Sequence, residues 1–226
     1  MVKKAPEQLR FAVVAVDAAI FTFLDDVVHV LLMPIDLPPH YSKTQGFPGG
    51  IIRASETAEE AVGRVLQEKV QVEPDHIEQL ATFSRVDRDK RNRVVSVGYL
   101  GFMKPERARR YHAREPGGYF LPVSTIEQLA YDHAEILDAA LGRLRGKLSY
   151  TTIAQFLLPK HFTLTELQTV YESVHGVTYD KRNFRKKILA LDIVTDTGRM
   201  QEGVKNRPAA LYEFKSKRLV QLPLVL

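Results

Sequence analysis

The excess positive charge of this chain is confined to its last third. The segment from Lys147 to Leu226 holds 13 of the 32 basic residues and 7 of the 27 acidic residues, whereas residues 1–146 hold 19 and 20. A length of 226 residues suits one domain with a smaller appendage. We therefore predict two domains, residues 1–146 and residues 147–226. The second should bind a polyanion, and nucleic acid is favoured over a membrane surface.

The composition excludes several other classes of protein. With 45% hydrophobic and 26% charged residues, it is typical of a globular protein. The first apolar run is interrupted by Asp17, and no run of about 18 apolar residues occurs, so neither a signal peptide nor a membrane helix is predicted. The absence of cysteine excludes disulfides and thiolate metal sites, and the seven histidines lack metal-ligand spacing. We expect a cytoplasmic protein without a membrane partner or a metal site.

Strand-like segments and two helices organise residues 1–146. Thr57 is a good N-cap with Glu60 three residues later, and apolar residues then recur at helical spacing up to Val70. A second helix is predicted from Asp132, with Glu135 completing its capping box, to near Gly146. Strands are predicted at 11–16, 27–33, 80–83 and 94–103. This pattern indicates an α/β domain.

The basic segment has the pattern of a winged helix-turn-helix. Thr163 begins a helix with a second capping box, and Gly176 ends it. After a short turn, a second helix is predicted over Lys181–Leu191. Strands at 192–195 and 210–214 would form a hairpin, which is the wing.

The outer face of this second helix is strongly basic. Arg182, Asn183 and Lys186 lie three or four positions apart, so they can project together into a major groove. There arginine reads guanine and asparagine reads adenine, while lysines hold phosphates. A solvated basic helix that binds no DNA is the alternative interpretation. The residues that we expect to contact DNA, on the helix and the wing, are Lys181, Arg182, Asn183, Arg185, Lys186, Lys187, Lys205 and Arg207.

The segment from Gly50 to Val72 resembles the Nudix box, which is a glycine, five residues, a glutamate, seven residues and then Arg-Glu-aliphatic-x-Glu-Glu-x-Gly-aliphatic. Nudix hydrolases use the helix glutamates to hold magnesium ions that polarise a pyrophosphate. The box has three glutamates on its helix, and this chain keeps only Glu68. Metal-dependent hydrolysis is therefore not expected, and no cofactor is required. Residues in register include Gly50, Glu56, Arg64 and Glu68, whereas Val65, Lys69 and Gln71 depart from the box.

A ligand site is still expected at this box. Pro48-Gly49-Gly50 provides backbone that a ligand can approach closely, and three arginines nearby in sequence are candidates to hold a pyrophosphate. An ordinary ion-pair ladder of Glu60, Arg64 and Glu68 on a solvated face is the alternative interpretation of the helix. The candidate ligand-binding residues are Gly49, Gly50, Arg53, Glu56, Glu68, Arg85 and Arg88.

Nearly the whole chain resembles the Nudix-related transcriptional regulators (NrtR family). The matching stretches include QGFPGGIIRASETAEEA, SRVDRDKRNRVVSVGYLGF, FTLTELQTVYESVHG and DKRNFRKKIL followed by NRPAALYEF. The resemblance implies a Nudix-type mixed-sheet α/β/α domain followed by a winged helix-turn-helix domain. It also implies a homodimer that represses genes of NAD synthesis or salvage at a double-stranded DNA operator, with ADP-ribose as the effector that releases the DNA.

Two other functions are open at this point. An active Nudix pyrophosphohydrolase of ADP-ribose, with an accessory basic domain, would hold its metal with Glu56, Glu68 and an acid outside the box. An RNA-binding Nudix protein would use the basic tail to hold phosphates without sequence preference. In a regulator, the helix from His133 to Gly146 would link the domains and transmit ligand binding.

Overall fold

The computed structural model describes residues 11–112, 117–203 and 207–223. Within them, the first domain is built on a seven-stranded sheet and three α-helices. The strands are β1 (Val13–Leu24), β2 (Val27–Leu37), β3 (Tyr41–Gly46), β4 (Gly49–Ile51), β5 (His76–Phe83), β6 (Val94–Phe102) and β7 (Tyr119–Pro122). The helices are α1 (Ala58–Val70), α2 (Pro105–His112) and α3 (His133–Tyr150).

The sheet is mixed and has helices on both faces. Its order is β3-β2-β1-β6-β5, and β4 pairs with β1 while β7 pairs with β2. Strands β1 and β6 are parallel, and the other pairs are antiparallel. Because side chains alternate along β1, Ala18 and Ile20 pack with α1 and α2, whereas Ala19 and Phe21 pack with α3. This architecture confirms the predicted mixed-sheet α/β/α domain.

Helix α1 begins with the predicted capping box. The Thr57 hydroxyl accepts from the Glu60 amide at 3.2 Å, and the Glu60 carboxylate accepts from the Thr57 amide at 2.7 Å. The helix buries Val62, Val65 and Leu66 against the sheet. It ends at Gln71, which adopts the left-handed conformation with φ 51°. The Nudix box has its glycine at this position, and glycine takes this conformation without steric cost.

Replacing Gln71 with glycine is expected to raise the free energy of unfolding by about 1 kcal/mol, because the left-handed conformation strains any residue with a Cβ atom. Urea denaturation of the two proteins measures the change. Gln67, exposed on the same helix, supplies the control: glycine there should lower stability by about 1 kcal/mol. An equal loss at both positions would show that the strain at Gln71 is negligible.

Helix α3 corrects two expectations. It continues through Gly146 to Tyr150, because Leu144 and Leu148 on either side of the glycine are both buried and their packing outweighs the low helix propensity of glycine. The predicted capping box at Asp132 is also wrong: its side chain makes no capping hydrogen bond and instead binds Arg88. The predicted boundary between residues 146 and 147 therefore falls inside a continuous helix, and the domain limits stay a prediction.

The second domain has the predicted winged helix-turn-helix architecture. Its elements are α4 (Leu164–His175), α5 (Lys181–Ala190), β8 (Val194–Met200) and β9 (Ala210–Phe214). The first wing strand starts two residues later than predicted and extends to Met200. Phe162, Leu167 and Phe184 belong to the same hydrophobic cluster as Phe21 and Leu148, so one core joins the two domains. In the described part of the chain, no helix is long and apolar enough to span a bilayer.

Candidate ligand cavity and DNA-binding surface

A cavity of about 490 Å³ lies between β1, β4, α1 and the start of α3, a size that suits a small-molecule ligand. Of the residues predicted to bind a ligand, Gly49, Gly50 and Arg88 line it. The wall also contains residues that the sequence did not select, among them Asp17, Arg64, Lys69, Arg91, Tyr131 and His133.

The two glycines allow β4 to fit between β1 and α1. A Cβ atom on Gly49 would lie 1.9 Å from Asp17 Oδ1 and 2.9 Å from Val16 O, and one on Gly50 would lie 2.8 Å from Val65 Cγ2. Contacts this short leave no room for a side chain. The glycines therefore allow β1, β4 and the helix of the Nudix box to pack closely at the cavity.

Arg64 binds the two glutamates of the box, Glu56 and Glu68. It donates to both carboxylate oxygens of Glu56, at 2.5 and 2.8 Å, and to Glu68 Oε2 at 3.2 Å. Glu68 also accepts from Arg53 Nη2 at 3.3 Å. Hydrogen bonding from Arg64 lowers the pKa of Glu56 to about 2. Arg53, Glu56 and Glu68 thus meet beside the cavity rather than in its wall, and their contact with a ligand stays a prediction.

Arg88 is the centre of a buried charge cluster. Its Nε and Nη2 donate to Asp132 at 2.8 and 2.7 Å, and Nη2 also donates to Asp17 at 3.0 Å. Asp17 further accepts from Ser96 Oγ at 2.6 Å and lies 3.3 Å from His133 Nε2. Although burial opposes it, the nearby His133, the Ser96 hydroxyl and Arg88 hold the pKa of Asp17 below its ordinary value. Two carboxylates therefore already offset the charge that Arg88 presents to the cavity.

The other predicted arginine, Arg85, lies away from the cavity wall. Its exposed guanidinium pairs with Asp87 at 3.0 Å and with Glu135. Arg91, in contrast, lines the cavity, with its guanidinium carbon 5.5 Å from the ring centroid of Tyr131. Arg85, Arg88 and Arg91 all lie in one polar loop between β5 and β6. The sequence therefore could not show which of them line the cavity.

The outer face of α5 is exposed and strongly basic. Lys181, Arg182, Asn183, Lys186 and Lys187 are exposed, and within the described ranges none of the four cations among them forms an ion pair. On the opposite face, two apolar side chains are buried against the domain core. Those cations are therefore available to bind phosphates.

Arg185 differs from the other predicted DNA contacts. It is half-buried and donates from Nη2 to Thr165 Oγ1 on α4 at 3.3 Å. The Arg185 side chain is thus bound to α4, and its contact with DNA stays a prediction.

The wing lies against the start of the helix-turn-helix. Phe162 exchanges backbone hydrogen bonds of 3.0 and 2.7 Å with Tyr212 on β9, and its ring lies 5.1 Å from that of Phe214. Arg207 is exposed, as a phosphate contact requires, and so is Arg199 on β8, which the sequence did not single out. Lys205, the other predicted wing contact, lies outside the described residues.

Comparison with known proteins identifies both domains. Residues 14–140 match the NUDIX domain and residues 154–214 match the NrtR DNA-binding winged helix domain. The ADPR responsive transcriptional repressor NtrR of Acinetobacter baylyi is 31% identical over 203 residues, which cover 88% of this chain and 80% of that protein. This chain belongs to the NrtR family.

Solved NrtR structures share this fold. Shewanella oneidensis NrtR complexed with a 27mer DNA aligns with a TM-score of 0.79 and 34% identity, over 89% of this chain and 93% of that one. The NUDIX domain of the same protein complexed with ADP ribose aligns with a TM-score of 0.52 and 29% identity, over 63% of this chain and 94% of that one. The chain described here is thus an NrtR-family regulator that carries a winged-helix DNA-binding domain.

Proposed function

We propose that this protein is a homodimeric repressor of genes for NAD synthesis or salvage, which releases its operator when ADP-ribose occupies the Nudix cavity. The observation that carries the proposal is the exposed basic face of α5 in the same chain as a cavity of about 490 Å³. The relatives support both the DNA-binding part and the effector part of the proposal. The Acinetobacter baylyi relative is an ADPR responsive repressor, and the Shewanella oneidensis structures contain DNA in one case and ADP ribose in the other.

On the DNA side, α5 acts as the recognition helix. Its exposed Arg182, Asn183 and Lys186 face base edges in the major groove, while Lys181, Lys187 and Arg207 hold phosphates. In a dimer, two such helices would meet half-sites about one DNA turn apart, so the operator should be approximately palindromic.

On the ligand side, the Nudix domain senses ADP-ribose without hydrolysing it. The box has Val65 and Lys69 at two glutamate positions, and its remaining acids, Glu56 and Glu68, are both bonded to Arg64. Among the described residues, no group of three acidic or histidine side chains is placed to hold a metal ion. A catalytic magnesium site of the usual Nudix type does not fit these residues.

Helix α3 is the physical connection between the two sites. His133 in its first turn lines the cavity, and its 18 residues span about 27 Å. Near its other end, Arg145 Nε donates to Val174 O at 3.0 Å, and Arg145 O lies 3.2 Å from His175 Nε2. These contacts join α3 to the end of α4, the helix that precedes the recognition helix. A ligand that shifts α3 would therefore reorient α5, provided that its affinity differs between the two arrangements.

Replacing Arg145 with alanine is expected to reduce the coupling while leaving both binding sites intact. ADP-ribose should weaken operator binding by the wild type by about 5- to 150-fold, and by several-fold less in the variant. Operator affinity measured by fluorescence anisotropy, with and without ADP-ribose, gives both factors. Asp138, exposed on the same helix, supplies the control variant Asp138→Ala, which should couple like the wild type. Equal coupling in all three proteins would exclude the contact between the Arg145 side chain and Val174 O as the route.

The proposal as a whole is tested by titrating the protein against DNA from its own promoter region and against shuffled DNA, at about 0.15 M salt, with and without ADP-ribose. Sequence-selective binding that ADP-ribose weakens is the expected result. Selective binding without an ADP-ribose effect would exclude this effector, and binding that ignores sequence would exclude the operator. In parallel, incubation with ADP-ribose and magnesium should release no AMP; release that Glu68→Gln abolishes would establish the hydrolase instead.

A further inference from the structure

Lys69 differs from the other cations that line the ligand cavity. Arg64, Arg88 and Arg91 are each bound to at least one carboxylate. Lys69 has no salt bridge with any described residue, and its Nζ donates to a neutral acceptor, Gly49 O, at 2.5 Å. Partial withdrawal from water lowers the pKa of this ammonium. The cavity wall thus contains a positive charge without a matching carboxylate at hydrogen-bond distance.

The position of Lys69 is the one at which the Nudix box has a metal-binding glutamate. One turn earlier, Val65 occupies another such position; it is fully buried, and its aliphatic side chain has no oxygen to bind a metal. The acid that remains, Glu68, is bound by Arg53 and Arg64. A divalent cation placed here would meet an ammonium and two guanidinium groups. The residues therefore do not fit the magnesium site that the fold family implies.

We propose that the ammonium of Lys69 replaces the divalent cation and binds the phosphate oxygens of the effector, so that effector binding requires no metal. The inference rests on the proposed function, since it takes the ligand to be a nucleotide diphosphate such as ADP-ribose. An ammonium supplies three hydrogen-bond donors and one fixed charge, which suits a pyrophosphate oxygen.

The geometry places this charge in the wall of the cavity. The hydrogen bond from Nζ to Gly49 O holds the ammonium beside the glycine backbone, which has no side chain to separate it from a ligand. An ammonium gains more from an anion than from a neutral carbonyl. Asp17 lies next to Gly49 in the sheet, but Arg88 and His133 bind its carboxylate, and no described carboxylate forms a salt bridge with Lys69.

The first test measures ADP-ribose binding to the full-length protein by calorimetry, in EDTA and in millimolar magnesium. The expected result is binding in EDTA that is at least as tight as binding in magnesium. Binding that appears only with magnesium would overturn the inference while leaving ADP-ribose as the effector. Absence of binding in both buffers would instead overturn the effector, and with it the proposed function.

Variants at position 69 test the residue itself. Lys69→Met should weaken ADP-ribose binding by about 10- to 100-fold, the loss that corresponds to one charge-assisted hydrogen bond. Lys69→Glu restores the carboxylate of the Nudix box, so its residual binding should require magnesium. Gln67→Glu, which adds one carboxylate at an exposed position of the same helix, should bind like the wild type in both buffers. Wild-type affinity in Lys69→Met, with melting temperatures showing that all variants fold, would assign Lys69 a structural role only.

Discussion

Replacing Arg88 with methionine is expected to lower the free energy of unfolding by about 3–5 kcal/mol. The side chains of Arg88, Asp17 and Asp132 are 4%, 9% and 2% exposed, so the substitution leaves two carboxylates in the interior without their cation. Methionine retains the packing of the aliphatic part of the arginine side chain, so the main cost is the burial of carboxylates without a cation. Denaturant unfolding of both proteins at neutral pH measures the effect.

Arg85→Met is the matched control for this experiment. Arg85 also pairs with two carboxylates, but its side chain is 55% exposed, and an exposed ion pair contributes less than about 1 kcal/mol. The two substitutions should therefore differ by several kcal/mol although they lie in the same loop. Similar losses in both variants would contradict the buried charge cluster.

The pH dependence of the same variants gives a second check. In the wild type, the lowered pKa of Asp17 contributes stability that is present above its ordinary pKa and is lost as the pH falls through the lowered value. In Arg88→Met the cation is absent, so burial should raise the pKa of Asp17 and make its charged form costly. The stability difference between the proteins should consequently shrink as the pH is lowered from 7 towards about 4.

Replacing Arg182 with alanine is expected to relax discrimination at one base pair of the operator by about 1–3 kcal/mol. Arg182 lies in the first turn of α5, is exposed and forms no salt bridge within the described residues. The helix start is fixed by the Asp180 side chain, which accepts from the Asn183 amide at 2.8 Å, so the substitution should leave the fold unchanged. Competition between the operator and single-base variants, followed by anisotropy, measures the discrimination.

Lys187→Ala is the contrasting variant on the same helix. Lys187 is also exposed, but it precedes the buried Ile188 at the far end of the helix and is assigned to a phosphate. Its loss should weaken binding to all sequences alike and reduce the slope of log affinity against log salt by about one. If Lys187 altered base preference and Arg182 altered only overall affinity, the reading face of α5 would have been misassigned.

Local signals in the sequence determined much of this structure. The capping boxes at Thr57 and Thr163 fixed the starts of α1 and α4, because each box satisfies amide groups within one turn. Gly176 ended α4 in the left-handed conformation, and the apolar spacing of α5 defined its buried face. The charge asymmetry and the Nudix box then located the DNA-binding module and the ligand cavity. All of these features depend on residues that are close together in the chain.

Only the tertiary structure decided which of the nearby charges faces the cavity and which is already neutralised. Arg85 and Arg88 are three residues apart and look alike in the sequence, yet Arg88 is buried because it meets Asp17 and Asp132, which lie 71 and 44 residues away. Because its carboxylate binds Arg88, Asp132 does not form the capping box that its local sequence predicts. The parallel pairing of β1 with β6 and the course of α3 across the sheet bring these residues together, and such contacts between distant segments leave no periodic signal in the sequence.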